Sequence, residues 1–316
     1  MKKIFALLVL ACAIFVVNAD EIPGNQELKK DSRIVTEFQQ VVVNADFNIN
    51  ITYAISPKVE VEAESNLHQY IITEVKGKTL NITVAKKTRL APNYPINITL
   101  CASSLNKIQF NGNGDVTADG IPSDKMELIL SGKGICTVNN LKTNSLKITA
   151  GNDFTVNMKD VISNGAAKIA LSDNVSGNIG NFTAPKIDIE SASLGSTRWA
   201  SVQTDALNLN VTAAGNMTFT GFAGKDVNAT MNSTGTVDMG GTARNLNITL
   251  SNAANFDALA LTCEKAKVVN NGTGDAGVNA TSNLDVTIAS AGNINFKGDL
   301  KIIYTNTGSG QLIKRK

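Results

Sequence analysis

The chain has one histidine, one tryptophan, aromatic residues at only 5% and no surplus of either charge. A lone His68 has no second imidazole or thiol beside it in sequence, so neither a histidine-based triad nor a multi-histidine metal site is expected. Basic and acidic residues number 29 and 27. An extended footprint for nucleic acid would need a basic excess, so no nucleic-acid partner is expected. Of the four cysteines, Cys101, Cys136 and Cys263 lie past the first apolar run, odd in number, far apart and without a CxxC pair, which argues against a disulfide framework or a zinc site but leaves a single pair open. Apart from Ile4 to Val17, no long apolar run occurs, and that run falls short of the ~20 residues of a membrane span.

That first run follows Met1-Lys2-Lys3 and leads to Val17-Asn18-Ala19, the anatomy of a secretory signal peptide over residues 1–19. Without it the chain has 27 bases against 27 acids. Cys12 follows Leu8-Val9-Leu10-Ala11, but cleavage there would leave apolar Ala13 to Val17 at the new terminus, which argues against lipidation. Residues 20–32 are polar and read as a flexible leader. Residues 33–104 read as opening β coils and 105–316 as regular repeats. The mature chain is expected without a transmembrane segment, in the periplasm, on the outer membrane surface or secreted.

What the sequence has in abundance is periodicity. One column runs Ile108, Leu128, Ile148, Ile169, Ile189, Leu209, Ala229, Ile248, Val268, Val286 and Ile302, and a second follows two residues later from Phe110 and Leu130 to Tyr304. Alternation within each segment means a strand with one inward face, and recurrence at about 20 residues means stacked strands. After each segment comes a corner rich in Gly and Asn, such as Asn111-Gly-Asn-Gly-Asp115, Ser131-Gly-Lys-Gly134 and Asn271-Gly-Thr-Gly-Asp275. Beyond it lies another inward column: Val116, Cys136, Phe154, Val175, Thr197, Met217, Val237, Phe256, Ala276 and Ile294. The fold class is therefore all-β: a single-stranded parallel β-helix, or solenoid, with roughly 20-residue coils. The few aromatics and the 25 glycines suit its narrow core. Some ten coils at the interstrand spacing of about 4.8 Å would stack to about 50 Å.

The sequence resembles one known family, the autotransporter adhesin head domain, or GIN domain. Phe38 with Val41-Val-Val, Val59-Glu-Val-Glu, Ile71-Ile-Thr-Glu-Val75, Ile96-Asn-Ile-Thr-Leu, Leu105-Asn-Lys-Ile108 and the Gly-x-Gly-Asp corner from Gly112 carry the likeness. It covers roughly residues 34 to 160. The resemblance implies a bacterial envelope β-helix, the right-handed form included, and brings no catalytic residues. Departures are Ala102, where the family often has proline, and the glycine-free corners Ser172-Asp-Asn174 and Asn252-Ala-Ala254.

Catalytic, cofactor-binding and metal-binding residues are each expected to be none, and the ligand-binding residues are unassigned. Asp153 and Asp173 fall near equivalent corners of successive coils and read as solvated turn residues. The Asn-Gly-x-Gly-Asp corners look superficially like a calcium-binding roll, but that roll repeats every nine residues. Trp199 shares its column with Val156, Phe219 and Phe296 and reads as core. The expected function is an exported, non-catalytic, adhesin-like or structural envelope module whose polar ladders meet glycans or envelope proteins. The alternative is a polysaccharide-active lyase or hydrolase on the same fold. Open solenoid ends, with Leu312-Ile313 near one of them, would allow end-to-end self-association.

Overall fold

The computed structural model describes residues 20–316, so the signal peptide and Cys12 lie outside the described residues. Strands dominate, and their regular part is a parallel solenoid. The first inward column stacks as its periodicity requires. Ile108 pairs with Leu128, Leu128 with Ile148, Ile148 with Ile169, Ile169 with Ile189, and Ile189 with Leu209. Leu209, Ile148 and Ile189 are all buried in one continuous core. Each such coil adds a strand to a first sheet and, past the corner, a strand to a second sheet.

A third, shorter ladder completes the coil. Phe182 pairs with Val202, Val202 with Phe222, and Gly241 with Leu261. Its inward side also carries Thr143, Ser163 and Thr204, which are buried. Each hydroxyl donates to a nearby backbone carbonyl: Thr143 to Ser145, Ser163 to Gly165 and Thr204 to Ala206. Buried polar side chains are tolerated on those terms.

The second sheet departs from the expected columns. Cys136 stacks on Val156, Val156 on Gly177 and Gly177 on Thr197. Phe154 and Val175 therefore stand two places earlier than their assigned column. Phe154 sits opposite Gly134 and meets Phe110 edge-on, with ring centroids 5.9 Å apart. The last coil slips by two as well, since Leu284 pairs with Ile302 and Val286 with Tyr304. A slip of two preserves which face is inward, so alternation alone does not detect it.

The glycine-free corners keep the corner geometry by other means. Asp173 and Asn252 adopt φ of 55° and 59°, the left-handed conformation that Asp and Asn reach more readily than other non-glycine residues. Gly132 is required for a second reason beyond its φ of 118°: a Cβ there would lie 2.0 Å from the Gly112 carbonyl oxygen of the coil below.

The N-terminal region differs most from expectation. The rung Gln40–Asn44 and Asn48–Tyr53 lies between a rung made later, Thr79–Val84 and Asn97–Ala102, and the coil of Lys107–Asn113 and Val116–Asp119. The chain thus steps back one rung and then forward over the one it laid first. Antiparallel strands close this end: Ile71–Lys76 on Thr79–Val84, and Lys58–Glu64 on Asn97–Ala102.

The expected flexible leader is ordered instead. Asp20–Pro23 pairs with Thr88–Ala91, and Leu28–Arg33 pairs antiparallel with Lys58–Glu64. Buried Glu64 fixes the turn between them. It accepts from the Gln26 N–H at 2.6 Å, and from the Asn93 N–H and side-chain amide at 2.8 Å each. Burial pushes its carboxyl up, but the Asn93 amide and the N–H groups of Gln26, Asn93 and Tyr94 outweigh that and hold it below the usual range. Polar residues are ordered here because they form an edge strand whose ladder hydrogen bonds replace an apolar face.

Candidate functional site

Inward residues alternate with outward ones, so every inward column generates an outward ladder at the same spacing. On the first sheet one outward ladder reads Lys107, Glu127, Lys147, Lys168, Asp188, Asn208, Asn228, Asn247 and Lys267. Its members are largely paired with one another. Lys147 Nζ lies 2.9 Å from Glu127, which Lys107 also approaches at 3.8 Å. The Asn208 amide donates to Asp188 at 2.6 Å, Asn228 to Asn208 at 3.0 Å and Asn247 to Asn228 at 2.9 Å.

Two residues further along each strand is a second outward ladder, with Thr149, Ala170, Glu190, Asn210 and Thr230. Among the described residues the side chains of Thr149, Glu190, Asn210 and Thr230 have no hydrogen-bonding or ionic partner, and these groups face solvent free. The two ladders border a shallow groove. A cavity of about 650 Å³ spans Lys147 to Thr230, another of about 320 Å³ shares Thr149, Ala170, Glu190 and Asn210 with it, and a third of about 490 Å³ continues from Asn228 toward Lys301. Ala170 borders both of the first two cavities; its short side chain leaves the notch between Thr149 and Glu190.

The groove carries two carboxylates that stand two residues apart on one strand, Asp188 and Glu190. Half-burial pushes the Asp188 carboxyl up, but hydrogen bonds from Asn208 and Lys186 outweigh it and hold the group below its ordinary value. Asp188 is accordingly an acceptor anchored by its neighbours. Glycoside cleavage needs a carboxyl kept protonated as general acid, and Asp188 is held in the opposite state.

The other candidates resolve into structural roles. His68 Nε2 lies 3.0 Å from the Lys29 carbonyl and 3.2 Å from that of Ala63, where it ties the N-terminal strands together. Asp153 accepts from the Asn174 amide at 2.9 Å, while Asp173 accepts from the Asn152 N–H at 2.9 Å. Amides thus separate these two carboxylates.

The corner acids serve the backbone: Asp115 accepts from the Ile135 N–H at 2.9 Å and Asp275 from the Asn293 N–H at 2.7 Å, each in the following coil. Among the described residues no three His, Cys, Asp or Glu side chains gather as a metal site would require. Trp199 is buried, stacked 5.6 Å from Phe219, and its indole N–H donates to Thr197 at 3.1 Å. Cys101, Cys136 and Cys263 are free thiols.

Residues 37–299 match the family described as putative auto-transporter adhesin, head GIN domain. The chain belongs to this family. The GIN-domain match extends well past residue 160, so the later coils are part of the same unit. Among solved structures, a putative adhesin from Parabacteroides merdae is similar at 17% identity and TM-score 0.40, covering 94% of this chain and 100% of its own. A putative adhesin from Parabacteroides distasonis is similar at 19% identity and TM-score 0.38, with the same coverage. A putative lipid binding protein from the latter organism is similar at 20% identity and TM-score 0.35, covering 94% and 100%. A comparison with curated proteins finds no match. In this GIN-domain chain, no helix among the described residues is long and apolar enough to cross a membrane.

Proposed function

We propose that this GIN-domain chain is an exported, non-catalytic, adhesin-like module of a bacterial envelope, and that the groove on the first sheet is its binding surface for glycans. The observation that carries the reading is the contrast between the two outward ladders. The first is internally paired from Lys107 to Lys147 and from Asp188 to Asn247 and holds its own geometry there, with Lys168 and Lys267 left out. The second presents free hydroxyl, amide and carboxylate groups at a repeat of about 4.8 Å, which suits a polymer of repeating polar units bound through many weak contacts. The family adds support through its adhesin description. The Met1 to Ala19 pattern supports export.

Binding is tested on a glycan array with the wild type and Ala170→Phe, which fills the notch from the solvent side without touching the core. Binding that is lost in Ala170→Phe supports the groove; unchanged binding places the surface elsewhere. Turnover of any polysaccharide by the wild type overturns the non-catalytic reading.

A second reading, self-association, rests on the strand Lys301–Asn306. It pairs with Asn283–Ile288 on one side only, and Ile302, Ile303 and Tyr304 are 39%, 56% and 45% exposed. Ile302 and Tyr304 continue inward columns, so an added strand would bury them. Light scattering that shows mass rising with concentration, reversed by Ile302→Lys, supports it; a strict monomer at all concentrations refutes it.

A further inference from the structure

One of the two cations lining the 650 Å³ cavity, Lys147 and Lys168, is left over when its partners are counted. In the first outward ladder Lys168 stands between Lys147 and Asp188. Lys147 is engaged by Glu127 at 2.9 Å. Asp188 is engaged by Lys186 at 3.0 Å and by Asn208 at 2.6 Å. Among the described residues Lys168 has neither an ion pair nor a side-chain hydrogen bond, and it faces solvent on the wall of the 650 Å³ cavity. Two lysines directly opposite on neighbouring strands repel each other. This pair lies beside the notch at Ala170 and the free groups of Thr149 and Glu190.

We propose that Lys168 is the anchor for a carboxylate borne on a sugar, so that the groove prefers glycans containing uronic-acid units. The inference rests on the groove reading above. A carboxylate beside Lys168 relieves the repulsion from Lys147 and gains a charge-assisted hydrogen bond. Thr149 and Asn210 donate to or accept from the ring hydroxyls of the same unit. Glu190 accepts from hydroxyls and repels a second anionic group, which sets the charge density of the ligand at about one carboxylate per bound unit. Free hydroxyl and amide partners around one cation favour a sugar over an acidic peptide, whose backbone would seek a strand edge that this sheet face does not offer.

The test is calorimetric titration of the full mature chain with oligogalacturonate, alginate and hyaluronan fragments, each against its neutral carboxyl methyl ester, with polyglutamate as a peptide control. At low salt the free acid of at least one glycan is expected to bind about fivefold more tightly than its ester, and the gap is expected to shrink as salt shortens the screening length. Lys168→Gln weakens binding of the acid to the level of the ester, whereas Lys225→Gln, paired with Asp205 outside the three groove cavities, leaves the preference intact.

Equal binding of acid and ester, insensitive to Lys168→Gln, overturns the assignment and leaves the groove standing. Binding of polyglutamate as tight as that of the glycans overturns the sugar class. Failure of every acid and ester to bind overturns the groove reading together with this one.

Discussion

Replacing Trp199 by alanine tests the stacked core at its largest fully buried side chain. The indole is 1% exposed, lies nearly parallel to Phe219 with ring planes 18° apart, and meets Phe182 edge-on at 5.7 Å. Trp→Ala at a buried site costs about 3–5 kcal/mol, of which aromatic pairing supplies about 0.5–1.5 kcal/mol beyond area burial. The Thr197 hydroxyl, 7% exposed, also loses the donor it accepts from, which adds about 1 kcal/mol. Trp199→Phe keeps the ring and loses only the indole N–H and some volume, so it is expected to cost roughly a third as much. Trp199 is the only tryptophan, so urea unfolding of the variants is followed by far-UV circular dichroism, with wild-type fluorescence reporting on that coil. A Trp199→Ala loss below about 1 kcal/mol would refute the claim that side chains of successive coils pack to native density.

The other predictions concern the N-terminal staple, a coil contact and the thiols. The Glu64 carboxyl in the folded chain lies below its free value of 4.5; its stabilisation is therefore full above pH 4.5 and lost as pH falls through the folded value. Glu64→Gln should lower the melting temperature at pH 7 and flatten the acid limb of a melting-temperature profile; an unchanged acid limb would count against this group. Gly177→Ala puts a Cβ 2.0 Å from the Val156 carbonyl oxygen of the coil below and should cost about 1–3 kcal/mol in a urea titration; a neutral result would mean the coils are less closely stacked. Burial pushes the Cys136 thiol up to about 12 and the Cys263 thiol up to about 11, so a disulfide reagent should label at most Cys101 in the native protein and all three only after unfolding; fast native labelling of Cys136 would refute its burial.

Much of this fold is legible in the sequence for a simple reason. In the first sheet the first inward column, from Ile108 to Val286, is apolar in every coil, and the corner after each strand is marked by Gly, Asn or Asp. In the second sheet the signal fades because Gly177 and Thr197 occupy inward places, so Phe154 and Val175 offer a more apolar column two residues away. The third ladder is hidden by its brevity and by buried Thr and Ser. The N-terminal order is illegible for another reason: which rung lies beside which depends on antiparallel returns whose partners are distant in sequence. Residues 20–33 look disordered because their order comes from hydrogen bonds and the Glu64 carboxylate, with no apolar periodicity to announce it. The groove was visible only as polar ladders. That Ala170 opens a notch, and that Lys168 is the unmatched cation beside it, follows from the cross-strand register.

The back-step at the N-terminal end has a consequence for how the chain is completed. A polypeptide leaving a ribosome or an export channel offers its first strands before their neighbours exist. Here Gln40–Asn44 is flanked on one side by Thr79–Val84 and on the other by Lys107–Asn113, so it has no ladder partner until about 35 further residues have been delivered and no second one until about sixty have. The regular coils, each needing only the one just laid, are under no such delay. In chain order the antiparallel end can therefore close on the Gln40–Asn44 rung before the regular coils are delivered, and the Lys107–Asn113 coil then covers that rung's other face.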